Sequence, residues 1–181
     1  MRVNLLIVDD FYNNPDEVRE FALRQDFSVK GNYPGSRTVP FLNESTKQGI
    51  QEMILPFAGQ IVDWGEQYSG CFQLCTAEDR TWIHADVNNT WAGVLYLTPD
   101  APLSGGTALY KHKRTGERVE WSDEQYEHRD LTKWDVVDQV GNVFNRLVLY
   151  RGDLFHASVD YFGSGRHDGR LIQTFFFSTE R

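Results

Sequence analysis

The feature that most constrains the fold is a series of short strand-like segments in the second half of the chain. After Gly70, segments rich in branched and aromatic residues alternate with turn-forming residues: CFQLCTA, RTWIHADV, WAGVLYLT, GGTALYK, RLVLYRG, LFHASVD and RLIQTFFFS. Short, closely spaced strands of this kind are typical of a β-sandwich or barrel. We therefore predict that residues 70–181 form a β-sandwich of jelly-roll type.

Residues 1–69 are predicted to be mainly helical. VNLLIV is predicted to be a short strand, and NNPDEVREFALRQ to begin a helix with Asn14 as its cap and Pro15 in its first turn. STKQGIQEMILPFAGQIVDWG is predicted to be a second helical region, with a capping box of Ser45 and Gln48 and a kink or division at Pro56. YPGSRTVPF is predicted to be a loop because of its prolines and glycine. Helices followed by strands indicate an α+β class.

The bulk properties limit both the organisation and the partners of the protein. The 181 residues suit one domain, and no repeat or Pro/Gly/Ser-rich linker divides residues 1–181. The net charge of −8 argues against sequence-independent binding to nucleic acid. No apolar run approaches the roughly 20 residues of a spanning helix, and MRVNLLIVDDF is too short and too acidic for a signal peptide. We expect a soluble, cytoplasmic protein that does not bind membranes, and the oligomeric state stays open.

Two polar residues within a strand-like segment could hold a metal ion. His84 and Asp86 are two positions apart, so on a strand both side chains project from one face. An imidazole and a carboxylate suit a first-row metal, and a second histidine would complete a facial triad. His156 is the remaining histidine that lies within an apolar segment. The alternative is that His84 and His156 are core histidines whose nitrogens bond to the backbone.

The other histidines and the cysteines are given structural interpretations. His112 and His128 lie in charge-dense segments and are predicted to be solvated, and His167 lies in a glycine-containing loop. Cys71 and Cys75, the two cysteines of the chain, are predicted to be small buried apolar residues on one face of a strand.

Arg170 opens the last strand-like segment and shares one face of it with Thr174. A guanidinium inside a β-sandwich is costly without an anionic partner. The partner could be a ligand carboxylate, which Arg170 would bind in bidentate fashion and to which Thr174 could donate its hydroxyl. The alternative is that Arg170 is exposed or paired with Asp153 or Asp168.

This ordered set of residues resembles the iron(II)- and 2-oxoglutarate-dependent oxygenases, especially their prolyl-hydroxylase-like branch. The resemblance assigns iron binding and catalysis to His84, Asp86 and His156, and binding of the far carboxylate of 2-oxoglutarate to Arg170 with Thr174 as its hydroxyl partner. It implies a double-stranded β-helix (cupin-like) core. It also implies Fe(II), 2-oxoglutarate and O2 as cofactor and co-substrates, and hydroxylation of a small molecule or of an amino-acid or peptide side chain. SGGTALY, VDDFYNNPDEVREFAL and YPGSRT extend the resemblance over most of the chain.

Two departures from the family pattern leave alternatives open. Arg166 stands closer to His156 than Arg170 does, at the spacing usual in prolyl hydroxylases, and is the competing anchor. We prefer Arg170 because Arg166 lies in a loop with three glycines. Residues 111–145 form an insertion between core strands, predicted to contain a short helix that buries Trp134 and ends at Gly141. It acts either as a lid that selects the substrate or as a structural cover.

Two other classes of function are compatible with the sequence. The first is a catalytically silent, cupin-like β-sandwich that binds a metal or another ligand without consuming 2-oxoglutarate. The second is a non-enzymatic interaction domain with an aromatic surface formed by Trp82, Trp91, Trp121 and Trp134.

Overall fold

The computed structural model of the chain describes residues 2–65, 67–120 and 125–180. Two α-helices, α1 (Pro15–Leu23) and α2 (Glu44–Ala58), lie in the first third of the chain. The strands are β1 (Leu5–Val8), β2 (Ser36–Pro40), β3 (Ile61–Trp64), β4 (Cys71–Cys75), β5 (Trp91–Tyr96), β6 (Thr107–His112), β7 (Trp134–Val140), β8 (Leu147–Arg151), β9 (His156–Ser158) and β10 (Arg170–Thr179).

The strands form two antiparallel sheets that face each other. The large sheet has the order β1-β8-β5-β10-β4-β2, with β3 paired to the end of β10. The small sheet has the order β7-β6-β9 and is extended by a bridge between His84 and His156. The predicted α+β class and the predicted sandwich are therefore confirmed.

The two helices cover the outer face of the large sheet, as predicted. Ala22 of α1 and Ile50 and Ile54 of α2 are fully buried there. Each such aliphatic side chain contributes roughly 1.5–3 kcal/mol when it leaves water. The opposite face of the same sheet points into the sandwich, because side chains alternate along every strand. The helices thus cover one face of the large sheet, and the other face packs partly against the small sheet.

The ends of the second helix differ from the prediction. Asn43, rather than Ser45, is the cap, and its side chain accepts a hydrogen bond of 2.8 Å from the Thr46 N–H. Pro56 does not divide the helix, which runs through it and ends at Ala58. Pro56 lies in the last turn, where its missing N–H removes only one hydrogen bond near the helix end.

The first third also contains two strands that were not predicted from the sequence. Ile61–Trp64, predicted to be part of the second helical region, is the strand β3, which pairs with the end of β10. YPGSRTVPF was predicted to be a loop, but its second half is β2, which pairs with β4. β2 lies at the edge of the large sheet, and a proline is tolerated at an edge because one side of such a strand needs no donor. Both cysteines of the neighbouring β4 are free and buried, as predicted.

The helix predicted within residues 111–145 is wrong. Trp134–Val140 is the strand β7, paired with β6 from Thr107↔Val140 to His112↔Trp134. Among the residues of this segment that the structure describes, only a three-residue turn, Leu131–Lys133, is helical, and Asp130 caps it. Branched valines favour a pleated backbone, and the open edge of β6 supplies hydrogen bonds that a lone helical turn lacks. Within the strand, Trp134 and Val140 are buried, whereas Val136 and Val137 are 55% and 37% exposed.

His112, predicted to be solvated, is fully buried at the end of β6. Its Nε2 lies 3.0 Å from a carboxylate oxygen of Glu127, and its ring packs against Trp134. The flanking Lys111 and Lys113 are about half exposed. Because strand side chains alternate, the charge-dense sequence described only the outward face of this strand. His167 is exposed in a loop, as expected.

The aromatic residues of the interaction-domain hypothesis do not form a surface in the described part of the chain. Trp91 and Trp134 are 1% and 4% exposed. Trp82 lines an internal cavity, and Trp121 lies outside the described residues. Neither helix in those residues is long and apolar enough to cross a bilayer.

Candidate metal centre and cavity

His84 and His156 face each other across a pair of backbone hydrogen bonds. The His84 N–H donates to the His156 carbonyl at 3.0 Å, and the His156 N–H donates to the His84 carbonyl at 2.8 Å. Directly opposed residues of an antiparallel pair project from the same face. The two imidazole rings accordingly lie with their centroids 4.4 Å apart.

Asp86 reaches the same place from a turn rather than from a strand. The segment RTWIHADV was predicted to be a strand, but it pairs only through the single bridge at His84. The Asp86 N–H then donates to the Gly152 carbonyl at 2.7 Å, and the Asn89 N–H donates to the Asp86 carbonyl at 3.1 Å. This bend brings Oδ2 of Asp86 to 3.2 Å from Nε2 of His156.

Both imidazoles are oriented by the backbone. Nδ1 of His84 lies 3.1 Å from the Trp82 carbonyl oxygen, and Nδ1 of His156 lies 2.8 Å from the Leu154 carbonyl oxygen. A carbonyl oxygen only accepts hydrogen bonds, so each Nδ1 carries a proton and donates it. In the neutral ring, Nε2 of both residues then has a free lone pair. This is how metal-binding histidines are usually fixed.

The three side chains converge on one point. Each offers one ligand atom, and these atoms lie within 4.8 Å of one another. The lone pair of His156 Nε2 and the anionic oxygen of Asp86 repel each other at 3.2 Å unless a proton or a metal ion lies between them. The donor set of two imidazoles and one carboxylate suits a first-row divalent metal. The residues present therefore fit the metal that the sequence resemblance implies.

The electrostatic surroundings favour the neutral form of His84 and the ionised form of Asp86. Burial, reinforced by the neighbouring His156, lowers the pKa of His84 to about 4, so this ring is neutral at pH 7. Burial acts to raise the pKa of Asp86, but the hydrogen bond and charge of His156 outweigh burial and hold that pKa below its usual value. Asp86 is therefore ionised.

The ligand atoms face a cavity of about 450 Å³ between the two sheets. Small-molecule sites usually have volumes of roughly 300–1,000 Å³. The cavity is lined by the loops at residues 32–34 and 81–89 and by side chains from both sheets, among them Gln73, Thr107, Tyr150, Tyr161, Ile172 and Thr174. None of the described residues within 111–145 lines it. Instead, Tyr126 and Trp134 of that segment pack on Phe155, the residue before the metal-ligand candidate His156.

Arg170 is a buried charged residue at the start of β10. Its side chain is 1% exposed, and its Nε donates to the Gly105 carbonyl at 2.7 Å. The guanidinium carbon lies 5.5 Å from the ring centre of Tyr96 and 5.8 Å from that of Tyr161. Its Nη2 is buried and has no hydrogen-bond partner. Arg170 does not itself line the cavity, but Tyr161 beside it does.

The carboxylates proposed as structural partners of Arg170 are engaged elsewhere. Asp153 pairs with Arg2 and Arg151, and Asp168 accepts hydrogen bonds from the backbone and hydroxyl of its own loop. Among the described residues, no carboxylate lies within ion-pairing distance of Arg170. A buried guanidinium with an unpaired N–H is costly, so its position suits an anionic ligand.

Thr174 and Arg166, the other two candidates for binding 2-oxoglutarate, differ from Arg170 in their surroundings. Thr174 lines the cavity, but its hydroxyl donates to the Tyr68 carbonyl at 2.8 Å, so holding a ligand carboxylate requires that proton to turn away. Arg166 is exposed and donates to the Leu23 carbonyl at the end of α1, at 2.7 Å. Like Arg170, Arg166 is absent from the cavity lining, but it lies at the surface, whereas Arg170 is buried.

The sequence analysis missed one charged residue of the cavity. Arg37 of β2 is 8% exposed and lines the same cavity as the three metal-ligand candidates. Because prolines lie on either side of Arg37, YPGSRTVPF was predicted to be a loop, and the strand that carries Arg37 was not recognised. The signal that could have revealed the strand is the pair of β-branched residues, Thr38 and Val39, that follows Arg37.

Comparison with solved structures assigns the architecture. The chain is similar to HygX from Streptomyces hygroscopicus, solved with nickel and 2-oxoglutarate bound, at 12% identity and a TM-score of 0.65, covering 98% of this chain and 83% of that one. It is similar to SnoN, a non-heme alpha-ketoglutarate-dependent epimerase from nogalamycin biosynthesis, at 13% identity and a TM-score of 0.61, covering 97% and 78%. A prolyl hydroxylase from Trichoplax adhaerens matches at 14% identity and a TM-score of 0.55, covering 96% and 83%.

The protein thus has the double-stranded β-helix fold of the iron(II)- and 2-oxoglutarate-dependent oxygenases, as the sequence resemblance implied. The chain belongs to the family of unknown function DUF6445, whose sequence profile matches residues 1–129. A search of curated proteins found no significant match.

Proposed function

We propose that this protein is an iron(II)- and 2-oxoglutarate-dependent dioxygenase that hydroxylates a small molecule or an amino-acid or peptide side chain. The observation that carries the proposal is the convergence of His84, Asp86 and His156 on one point, with both Nδ1 protons used by backbone carbonyls. A structural core needs histidine nitrogens to be satisfied, but it does not need two imidazoles to converge on one carboxylate.

Each of the three residues would supply one ligand atom to iron. Nε2 of His84, Nε2 of His156 and one oxygen of Asp86 would be the protein ligands. Iron(II) bound there would couple the oxidative decarboxylation of 2-oxoglutarate to oxidation of a substrate C–H bond. The two sheets exclude water from the far side of the centre, where Ile83 and Phe155 are fully buried.

Arg170 would bind the far carboxylate of 2-oxoglutarate. Its Nη2 has no partner, and its Nε is fixed by Gly105, so the guanidinium is held in place for a ligand. Thr174 lies on the same face of β10 and lines the cavity, and its hydroxyl would turn from Tyr68 to that carboxylate. Residues 1–181 would act as one domain, because α1 and α2 brace the sheet that carries both residues.

The molecules bound in two of the similar structures indicate a broad class of prime substrate. HygX has been solved with hygromycin B bound, and the Trichoplax enzyme with a peptide fragment of hypoxia inducible factor. A cavity of about 450 Å³ suits a small molecule or one side chain of a peptide.

Turnover of 2-oxoglutarate tests the proposal. The purified protein would be loaded with Fe(II), and succinate would be measured with and without O2. We expect O2-dependent succinate from the wild-type protein and none above background from His156→Ala. His167→Ala, which alters an exposed loop histidine, is the matched control and should retain wild-type turnover. Tight binding of metal and 2-oxoglutarate without succinate would instead identify the catalytically silent β-sandwich.

A further inference from the structure

Arg37 projects from the large sheet toward the metal-ligand candidates. In the sheet it lies opposite Gln73 of β4, which lies opposite Ile172 of β10. Opposed residues of antiparallel strands share a face, so Arg37 points the same way as Ile172 and Thr174. All of these side chains line the cavity that contains His84, Asp86 and His156.

The guanidinium of Arg37 is held rigidly on one edge. Its Nε donates to Oε1 of Gln73 at 2.8 Å. The amide of Gln73 is itself fixed, because its Nε2 donates to the Pro34 carbonyl at 2.8 Å. The Arg37 guanidinium carbon lies 3.9 Å from the ring centre of Tyr33, with Tyr68 and Phe176 at 5.7 and 5.8 Å. These contacts fix the direction in which its remaining N–H groups point.

The other edge of the guanidinium has no protein partner. Within the described residues, neither Nη nitrogen of Arg37 forms a hydrogen bond, and no carboxylate lies within ion-pairing distance. Neither Nη is fully occluded, so both are open to the cavity. A residue that is only 8% exposed yet leaves the N–H groups of both Nη nitrogens without a protein partner is costly to the fold unless an anion uses them.

We propose that Arg37 binds the carboxylate of the prime substrate, which is therefore a small carboxylic acid with an apolar body beside its acid group. This inference rests on the proposed function, because it takes the second ligand of the cavity to be a substrate. The free fork of the guanidinium matches a carboxylate in bidentate geometry. The rings of Tyr33, Tyr68 and Phe176 around it offer apolar contact to the rest of such a molecule.

The position of Arg37 assigns it to the substrate rather than to 2-oxoglutarate. β2 lies two strands from β10 in the sheet, which is roughly 10 Å at the usual strand spacing. The loop at residues 32–34, which precedes β2, lines the cavity together with Arg37, whereas Arg170 lies deeper and is 1% exposed. Two separated guanidinium groups fit two anions, one inner and one nearer the cavity mouth.

Binding of matched acids and amides tests this inference without turnover. The protein would be loaded with nickel and 2-oxoglutarate, and phenylacetate, 3-phenylpropionate, indole-3-acetate and N-acetyl-L-phenylalanine would each be titrated beside its primary amide. We expect at least one acid to bind at least about tenfold more tightly than its amide, since the amide lacks the charge that Arg37 recognises. This comparison needs no variant. Equal affinities for every acid and its amide would overturn the proposal.

Variants then assign the preference to Arg37. Arg37→Gln should lower the affinity for the preferred acid to that of its amide, Arg37→Lys should restore part of it, and 2-oxoglutarate affinity should stay within about twofold. Arg166→Gln, an exposed arginine that does not line the cavity, is the matched control and should change nothing. An unchanged acid preference in Arg37→Gln would refute the assignment. Weakened 2-oxoglutarate binding with no effect on the acid would make Arg37 the co-substrate anchor instead.

The same titrations separate this inference from the proposed function. If the protein consumes no 2-oxoglutarate but the acid preference depends on Arg37, then the oxygenase proposal fails and the anion site stands. If succinate forms but no acid is preferred over its amide, then the oxygenase proposal stands and the role of Arg37 is refuted.

Discussion

The backbones of Asp86 and Gly152 lie so close together that only glycine fits at position 152. The Asp86 N–H donates to the Gly152 carbonyl at 2.7 Å. A Cβ atom added at Gly152 would come within 2.8 Å of the Asp86 carbonyl oxygen and within 2.3 Å of that of Asn89. Gly152 lies just after β8, so the large sheet determines where the turn that carries Asp86 can lie.

Gly152→Ala is therefore expected to displace the turn that carries Asp86. The added methyl group meets backbone oxygen atoms, which cannot rotate away as a side chain can. Metal affinity should fall at least about tenfold, comparable to the loss of an outer contact in a metal site. Calorimetric titration with Ni(II) measures the effect. Gly165→Ala is the matched control, because a Cβ there meets nothing closer than 4.0 Å. Wild-type metal affinity in Gly152→Ala would mean that the turn adapts.

Removal of any one proposed metal ligand should greatly weaken metal binding. His84→Ala, Asp86→Ala and His156→Ala should each lower the affinity for a divalent metal roughly 100-fold or more, which exceeds the loss typical of an outer contact. The stoichiometry in the wild-type protein should be one ion per chain, measured by titration and elemental analysis. His128→Ala tests specificity, because His128 bonds to the Ile83 carbonyl and does not line the cavity. If His156→Ala bound metal as the wild type does, the triad would be refuted.

Arg170→Ala is expected to weaken 2-oxoglutarate binding and to leave metal affinity nearly unchanged. Loss of a charged contact in a buried site costs roughly 2–5 kcal/mol, so the dissociation constant should rise at least tenfold. Titration of 2-oxoglutarate into the nickel-loaded protein measures this change. Arg166→Ala serves as the control because Arg166 bonds to carbonyls at the end of α1. If Arg166→Ala weakened 2-oxoglutarate binding and Arg170→Ala did not, then Arg166 in the loop would be the anchor.

Trp134→Ala is expected to destabilise the fold without removing the metal site. Trp134 is 4% exposed and packs against Phe155, with ring centres 4.7 Å apart. Truncation of a buried aromatic residue costs roughly 3–5 kcal/mol of the free energy of unfolding. Denaturant unfolding gives that value, and metal titration at low temperature checks the site. Val136→Ala, an exposed change on the same strand, should cost little. A stable Trp134→Ala protein that no longer turns over substrate would revive the lid interpretation of residues 111–145.

The elements that the sequence predicted well are those whose signals are local. Asn14 and Pro15 marked the start of α1, and the apolar segments after Gly70 marked most strands of the sandwich. β7 was misjudged because a capping signal near Thr132 was read locally, whereas the strand depends on hydrogen bonds to β6, which are set by tertiary structure. Local patterns do not contain that information.

The same distinction applies to the candidate site. Four site residues could be predicted from their order in the sequence: His84, Asp86, His156 and Arg170. Arg37 was not nominated, because its importance depends on the pairing of β2 with β4 and on the absence of a carboxylate beside it in the described structure. Missing partners are a property of the folded arrangement and leave no mark on the sequence.

The exposed face of β7 has a consequence for how copies of this protein meet. β7 ends the small sheet and carries Val136 and Val137 partly exposed, so its free backbone edge could accept a strand from another copy. Asp135 and Asp138 lie on the same strand and pair with Lys111 and Arg118 of their own chain. Charged side chains on an edge strand disfavour its pairing with a second edge. We therefore expect the charged residues of β7 to oppose aggregation through this edge of the small sheet.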